Sequence, residues 1–249
     1  MYLIVIVPYF MIKSILILII FPIFLFSSQQ IILVVADDFN TSKATLKFYE
    51  DTKVLLSTEV NLGTNGLGWG IGEVKLSKRS NESLKYEGDR KAPAGVFKLT
   101  NIFGYSHQNN YKLPYLYTSK ELICVDDSLS NFYNHIIQAN GDEKSFELMK
   151  RSDNQYKYGI TVAHNKKGES KRGSCIFLHL QKDTDTSTAG CTSMDESSLK
   201  KIILLLDKKK NPLLIQISKH SLKEIQILYP RATCKFKPSK QLNSSHSDF

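Results

Sequence analysis

The chain reads as a β-rich mixed α/β protein, and three features predict this. Short β-branched and aromatic runs, IILVVA at 31–36, TLKFY at 45–49 and VLLSTEV at 54–60, follow one another across polar turns as in a β meander. Similar runs return as YGITVAH at 158–164, CIFLHL at 175–180 and LLIQI at 213–217. Strong helical spacing is confined to one place, where Leu199, Ile202, Ile203 and Leu206 share a face. A length of 249 residues suits one large domain or two small ones, and 42% hydrophobic content is enough to bury a sizeable core.

The first 26 residues are almost wholly apolar, with Lys13 their only charge. From Met11 onward they have the layout of a secretory signal: Lys13, an apolar run at 15–26, then Ser27, Ser28 and Gln29. Residues 1–28 are therefore expected to be a signal peptide, or an uncleaved anchor, since the apolar length also suffices to span a bilayer. This segment is expected to contact or cross the membrane, and the rest of the chain is expected outside the cytoplasm, in the periplasm or cell envelope.

After the meander, NLGTNGLGWGIG at 61–72 carries five glycines and the only Trp. It either lines a cleft or forms turns around a packed Trp69, and the lack of a G-x-x-x-x-G-K-[ST] pattern argues against a phosphate loop. EGDRKAPAGVF at 87–97 sets a charged turn into a strand. The Tyr-, Asn- and Pro-rich stretch 101–117 reads as a loop. Adjacent carboxylates at Asp126 and Asp127 point to opposite sides of an extended chain, which favours a cap or turn over a metal or acid/base pair. Residues 141–151 have weak helical spacing through Phe146, Leu148 and Met149. His164 ends a strand run, either capping it or facing a cleft. Past the helix, KKKNP at 208–212 is a stop signal, and residues 219–249 read as a basic, flexible tail.

The chemistry is expected in GSCIFLHLQKDTDTSTAGCTSMDESSLKKIILLLD, residues 173–207. The period of two puts His179 on one strand face with Cys175 and Phe177. A polar loop then leads to Gly190 and Cys191, and Ser193 with Glu196 makes an S-x-x-E capping box for the helix. A cysteine just before a helix N-terminus, with an imidazole near, is expected to have a lowered thiol pKa and to act as a nucleophile. Backbone amides at Gly190 and Cys191 would hold an oxyanion. The plain structural alternative is a small buried cysteine and a satisfied core histidine.

His179, the spacer and Thr188-Ala189-Gly190-Cys191-Thr192 resemble the His…[Ser/Thr]-x-Gly-Cys signature of the L,D-transpeptidase catalytic-domain family, called YkuD-like. EGD…PAGVF at 87–97, and the stretch from Val125-Asp126-Asp127 to Phe132-Tyr133-Asn134, are similar to further segments of the same branch. The spacer here is shorter than in the best-known members, and Ala189 and Ser193 stand where these carry His and often Arg. The resemblance implies a single domain at 29–218, a β-sandwich or sheet with a few helices. It also implies a cysteine acyltransferase acting on peptidoglycan stem peptides through a thioester. Cys191 would be the nucleophile, His179 the base and Gly190 part of the oxyanion hole, with Thr188, Ala189 and Thr192 meeting substrate. The implied mechanism needs no cofactor. Water as acceptor would make the protein an L,D-carboxypeptidase, and a noncatalytic envelope-binding module is the rival from another class. Substitution of Cys175 or Cys234 is expected to leave activity largely intact.

A net charge of +9 is scattered, without a recognition helix or stacking motif, so no nucleic-acid partner is expected. An anionic envelope polymer or membrane surface fits better. Cysteines at 124, 175, 191 and 234 are even in number, which allows disulfides in an oxidising compartment. A zinc set of His164, Cys175, His179 and Cys191 is a minor alternative without standard ligand spacing.

Overall fold

A computed structural model describes residues 28–107 and 110–230. The expected leader, apart from Ser28, and residues 231–249 of the expected tail lie outside the described residues. The strands in chain order begin with β1 (Gln30–Ala36), β2 (Lys43–Glu50), β3 (Lys53–Asn61), β4 (Leu67–Trp69), β5 (Ala92–Gly104), β6 (Tyr115–Tyr117) and β7 (Leu122–Val125). They continue with β8 (Ile136–Gln138), β9 (Phe146–Leu148), β10 (Tyr158–Val162), β11 (Phe177–Leu180), β12 (Thr192–Met194) and β13 (Leu213–Ser218). Two helices follow β12 and β13: α1 (Glu196–Leu205) and α2 (Leu222–Leu228).

Every residue of β1 is buried, because the strand runs through the middle of the sheet with β2 antiparallel on one side and β13 parallel on the other. That explains its unbroken apolar run in place of alternation. The large sheet runs β10-β11-β12-β3-β2-β1-β13-β5, and β10 also pairs with β5. The class is β-rich as expected; of the sandwich or sheet expected, the structure has a sheet, and it closes on itself like a barrel. The long β5 closes it: residues 95–98 pair with β13, and residues 99–104 pair with β10 across a register shift. Neither neighbour is left with a free edge there, which removes a template for unwanted pairing.

Val34, Leu46, Phe48, Phe97 and Leu214 share one face of the sheet and form part of one buried core. Helix α1 buries Leu199, Ile202 and Ile203 and packs on β10, β11 and β3. The sequence placed its N-cap at Ser193. The structure places it at Asp195, whose carboxylate accepts from the Ser198 N–H at 2.9 Å. Ser193 is instead the middle of β12, paired with His179 and Asn61. Strand pairing therefore carries the chain two residues further before it can turn into a helix.

A second, three-stranded sheet has the order β8-β7-β9. It occupies the region where 141–151 suggested weak helix. Phe146 and Leu148 are exposed on β9 while Glu147 between them is part-buried, a period of two and not of 3.6. A disulfide between Cys124 on β7 and Cys175 ties this sheet to the chain entering β11. Beyond β13 the segment read as tail opens with a turn and α2, where Ile225 is buried and the Glu224 carboxylate accepts from the N–H and hydroxyl of Ser77.

Candidate active site

The residues FLHL of β11 are all buried. His179 packs edge-on against Tyr156, centroids 5.2 Å apart, and Phe177 meets the same ring at 5.5 Å. The shared face expected of Phe177 and His179 is therefore present. The Nδ1–H of His179 donates to the Leu180 carbonyl at 2.8 Å, which leaves Nε2 with a free lone pair. Burial lowers its pKa to about 4, so the imidazole is neutral at physiological pH and able to accept a proton.

Between β11 and β12 the loop is held by its own polar groups. Asp183 accepts from the N–H groups of Asp185 and Thr186. Thr188 is bonded through its backbone to Leu62 and Thr64, and its hydroxyl accepts from the Gly190 N–H at 3.1 Å while donating to the Cys191 carbonyl at 2.6 Å. Thr188 thus staples the turn that presents Cys191. The Gly190 N–H, expected to face an oxyanion, is turned onto Thr188. Gly190 itself has φ +150°, and a Cβ there would lie 3.1 Å from the Lys91 carbonyl oxygen, so a side chain would strain this turn.

The Cys191 sulfur accepts from the Phe177 N–H at 3.3 Å and donates to the Cys175 carbonyl at 3.4 Å. Among the described residues no hydrogen bond joins it to His179; the phenol of Tyr156 borders both. Burial pushes the thiol up to about 12, with the charge of Glu147 adding to the effect and the Phe177 N–H, Tyr156 and Lys85 opposing it. The lowered pKa expected from sequence is therefore reversed. The sulfur faces the interior, and β12 intervenes before the helix N-terminus. The positive end of a helix dipole acts over about the first turn only.

Cys191, His179, Thr188, Ala189 and Gly190 line one cavity of about 440 Å³. Thr192 does not; it is buried behind the loop with its hydroxyl on Gln216 at 2.7 Å. The remaining walls hold groups that the sequence reading passed over or assigned elsewhere. Lys85 is buried and paired with Asp89 at 2.5 Å, and Arg151 is paired with Asp153 at 2.5 Å. Glu87, Asp126 and Glu147 add carboxylates, with the Tyr156 hydroxyl donating to Glu147 at 2.7 Å. Alternation in F-E-L at 146–148 was the one signal for Glu147. His164 lies on a different cavity wall, accepting from the Ile71 N–H at 3.3 Å and bonded to the Arg172 carbonyl at 3.0 Å. Trp69 is packed, its indole N–H on Glu82 at 2.8 Å. With Cys175 in the disulfide and His164 elsewhere, the zinc set weighed from sequence is not assembled.

The sequence matches the family described as YkuD, L,D-transpeptidase catalytic domain, over residues 32–215. The search of curated proteins found no match.

Proposed function

Because the chain belongs to the YkuD family of L,D-transpeptidase catalytic domains, whose activity is on peptidoglycan, we propose a cysteine-dependent acyl transfer between stem peptides. Cys191 attacks the carbonyl of the residue before a terminal D-Ala, D-Ala leaves, and the acyl group passes from a thioester to an amine. The observation that carries this reading is that Cys191 and a neutral His179 with a free Nε2 lone pair line the same cavity. The resting pair is thiol and imidazole, since the thiol lies near 12 and the imidazole near 4. Proton transfer to Nε2 therefore accompanies attack and does not precede it. Developing negative charge on oxygen is met by the Cys191 N–H and by the field of Lys85 behind Gly190. The exposed cationic side chains of Arg90 and Lys182 on the cavity wall suit the carboxylates of a stem peptide.

The Cys124–Cys175 disulfide supports an oxidising compartment, in line with export to the periplasm or envelope. Incubation with a tetrapeptide stem ending in D-Ala tests the reaction, read by D-Ala release and by the intact mass of a thioester adduct. Both should vanish in Cys191→Ala. No adduct and no release in the unmodified protein would favour the noncatalytic envelope-binding module; release with water as the only acceptor would favour the carboxypeptidase.

A further inference from the structure

The end of the barrel at which β1 starts is rich in lysine and exposes large apolar side chains. We propose that this end is a docking face for a bilayer surface bearing anionic phospholipid, with the catalytic loop held at the opposite end. The inference is independent of the acyl-transfer reading. From the sequence it takes only that residues 1–26 are apolar but for Lys13.

Gln30, the buried first residue of β1, ties this end together. Its side-chain amide donates to the Leu205 carbonyl at 2.8 Å and to Glu50 at 3.1 Å, and its side-chain oxygen accepts from the Asp207 N–H at 2.8 Å. One residue earlier, Gln29 exchanges hydrogen bonds with Asp51 in the turn between β2 and β3. The β2–β3 turn, the end of α1 and the lysine turn at 208–210 therefore surround the point at which the apolar segment joins the barrel.

Charge and apolar surface coincide there. Leu204 is 66% exposed, and Leu205 and Val54 at the same end are exposed as well. Lys53, Lys201 and Lys208 are exposed and have no ion pair among the described residues. The carboxylates of this end are engaged: Glu50 with Lys210, Asp207 with Lys112 and the Lys209 N–H, and Asp51 with the Gln29 N–H. The surplus charge is positive and suits a layer of anionic headgroups. Leucines set among the lysines favour a bilayer over a soluble anionic polymer, which offers charge but no apolar depth to enter. The apolar segment that joins the barrel at this face is itself long enough to span a bilayer.

Strand β3 sets the orientation. Its first residue, Lys53, lies at this end, and its last, Asn61, pairs with Ser193 beside the loop that carries Cys191. Nine extended residues separate the two ends by about 27 Å, so a docked barrel keeps the catalytic loop clear of the lipid.

The test uses the full chain in vesicles of phosphatidylcholine alone and of equal parts phosphatidylcholine and phosphatidylglycerol. Leu204→Trp adds a reporter at an exposed position of a chain whose one other Trp, Trp69, is packed in the core. With brominated acyl chains in the anionic vesicles, emission of the new indole should fall by about half, because an interfacial side chain sits at the boundary of headgroups and acyl chains. Trp69 emission in the unmodified protein should not change. Lys53→Gln with Lys208→Gln should relieve the quenching, each lysine near the surface being worth about fivefold in the ratio of docked to undocked protein. Amine labelling of the unmodified chain, read by peptide mass, is the second measurement. Lys53, Lys201 and Lys208 should react several-fold more slowly in the anionic vesicles than in phosphatidylcholine, while Lys182 on the cavity wall reacts equally in both. An unquenched indole and equal labelling of all these lysines, in protein that floats with the vesicles, would overturn the docking face. Protection of the same lysines by insoluble peptidoglycan and not by vesicles would overturn it in favour of a polymer-binding face.

Discussion

The sulfur of Cys191 is hydrogen-bonded to the carbonyl of Cys175, whose own sulfur is joined to Cys124. The nucleophile is therefore seated on a segment that the disulfide pins to the small sheet. Closing a loop with a sequence separation of 51 residues is worth about 4 kcal/mol on the chain-entropy account.

Cys124→Ser with Cys175→Ser should lower the midpoint of thermal unfolding by roughly 10 °C. It should also reduce thioester formation, because the carbonyl that receives the Cys191 S–H loses its anchor. This revises the expectation that Cys175 is dispensable for activity. A double variant with unchanged melting and unchanged acylation would show that the disulfide neither stabilises the fold nor seats the nucleophile.

Cys191 should alkylate more slowly than a free cysteine at neutral pH. Its thiol lies near 12, against about 8.5 for an unperturbed one, so its thiolate fraction at pH 7 is far smaller. Site-resolved iodoacetamide labelling against pH, read by peptide mass, gives the profile. Glu147→Gln removes a charge that opposes the thiolate and should move the profile to lower pH. Labelling of Cys191 faster than a free thiol would refute the buried, protonated state.

Two buried histidines predict an acid limb in the stability. His164 and His179 are both lowered to about 4, first of all by burial, from an ordinary value of 6.5. As pH falls below 6.5 the unfolded chain takes up protons that the folded protein does not accept until about 4. The stability their neutral forms contribute is thus complete above 6.5 and is lost between 6.5 and 4, by roughly 3 kcal/mol per histidine. Urea unfolding at pH 7, 6 and 5 measures the slope, and His164→Gln should make it shallower. An unaltered slope in that variant would mean that His164 does not titrate in this way.

Much of the scaffold was legible because burial and pairing coincide with local pattern. The apolar runs became β1, β2, β3, β10, β11 and β13, and the loop holding Thr188, Gly190 and Cys191 lies beside His179 in one cavity. Barrel closure was not legible, since it depends on β5 serving two neighbours along its length, a long-range fact with no local periodicity. Glu147 was hidden because Phe146, Leu148 and Met149 fit a helical and a strand spacing over so short a stretch. Tyr156 sits in the polar run SDNQYK and becomes buried only by packing on Phe103, Phe177 and His179. The thiol pKa was misjudged for a related reason: proximity to a helix start in sequence says nothing about which way the sulfur points.

That last error yields a clean test at the two candidate caps of α1. Ser193 has the residue type and spacing of a capping box, yet its backbone is held in β12 between His179 and Asn61, and its buried hydroxyl has no partner among the described residues. Asp195 has extended backbone angles, and its carboxylate accepts from the Ser198 N–H at 2.9 Å and the Ser197 hydroxyl at 2.6 Å. Those bonds, with the helix N-terminus, hold its pKa down to about 2 against the opposing effect of burial. Asp195→Ala should therefore cost about 1 kcal/mol, the usual value of an N-cap. Ser193→Ala removes an unsatisfied hydroxyl and should be neutral or slightly stabilising. Chemical denaturation of the two variants decides it: a larger loss in Ser193→Ala than in Asp195→Ala would restore the cap to the position that the capping-box pattern assigns.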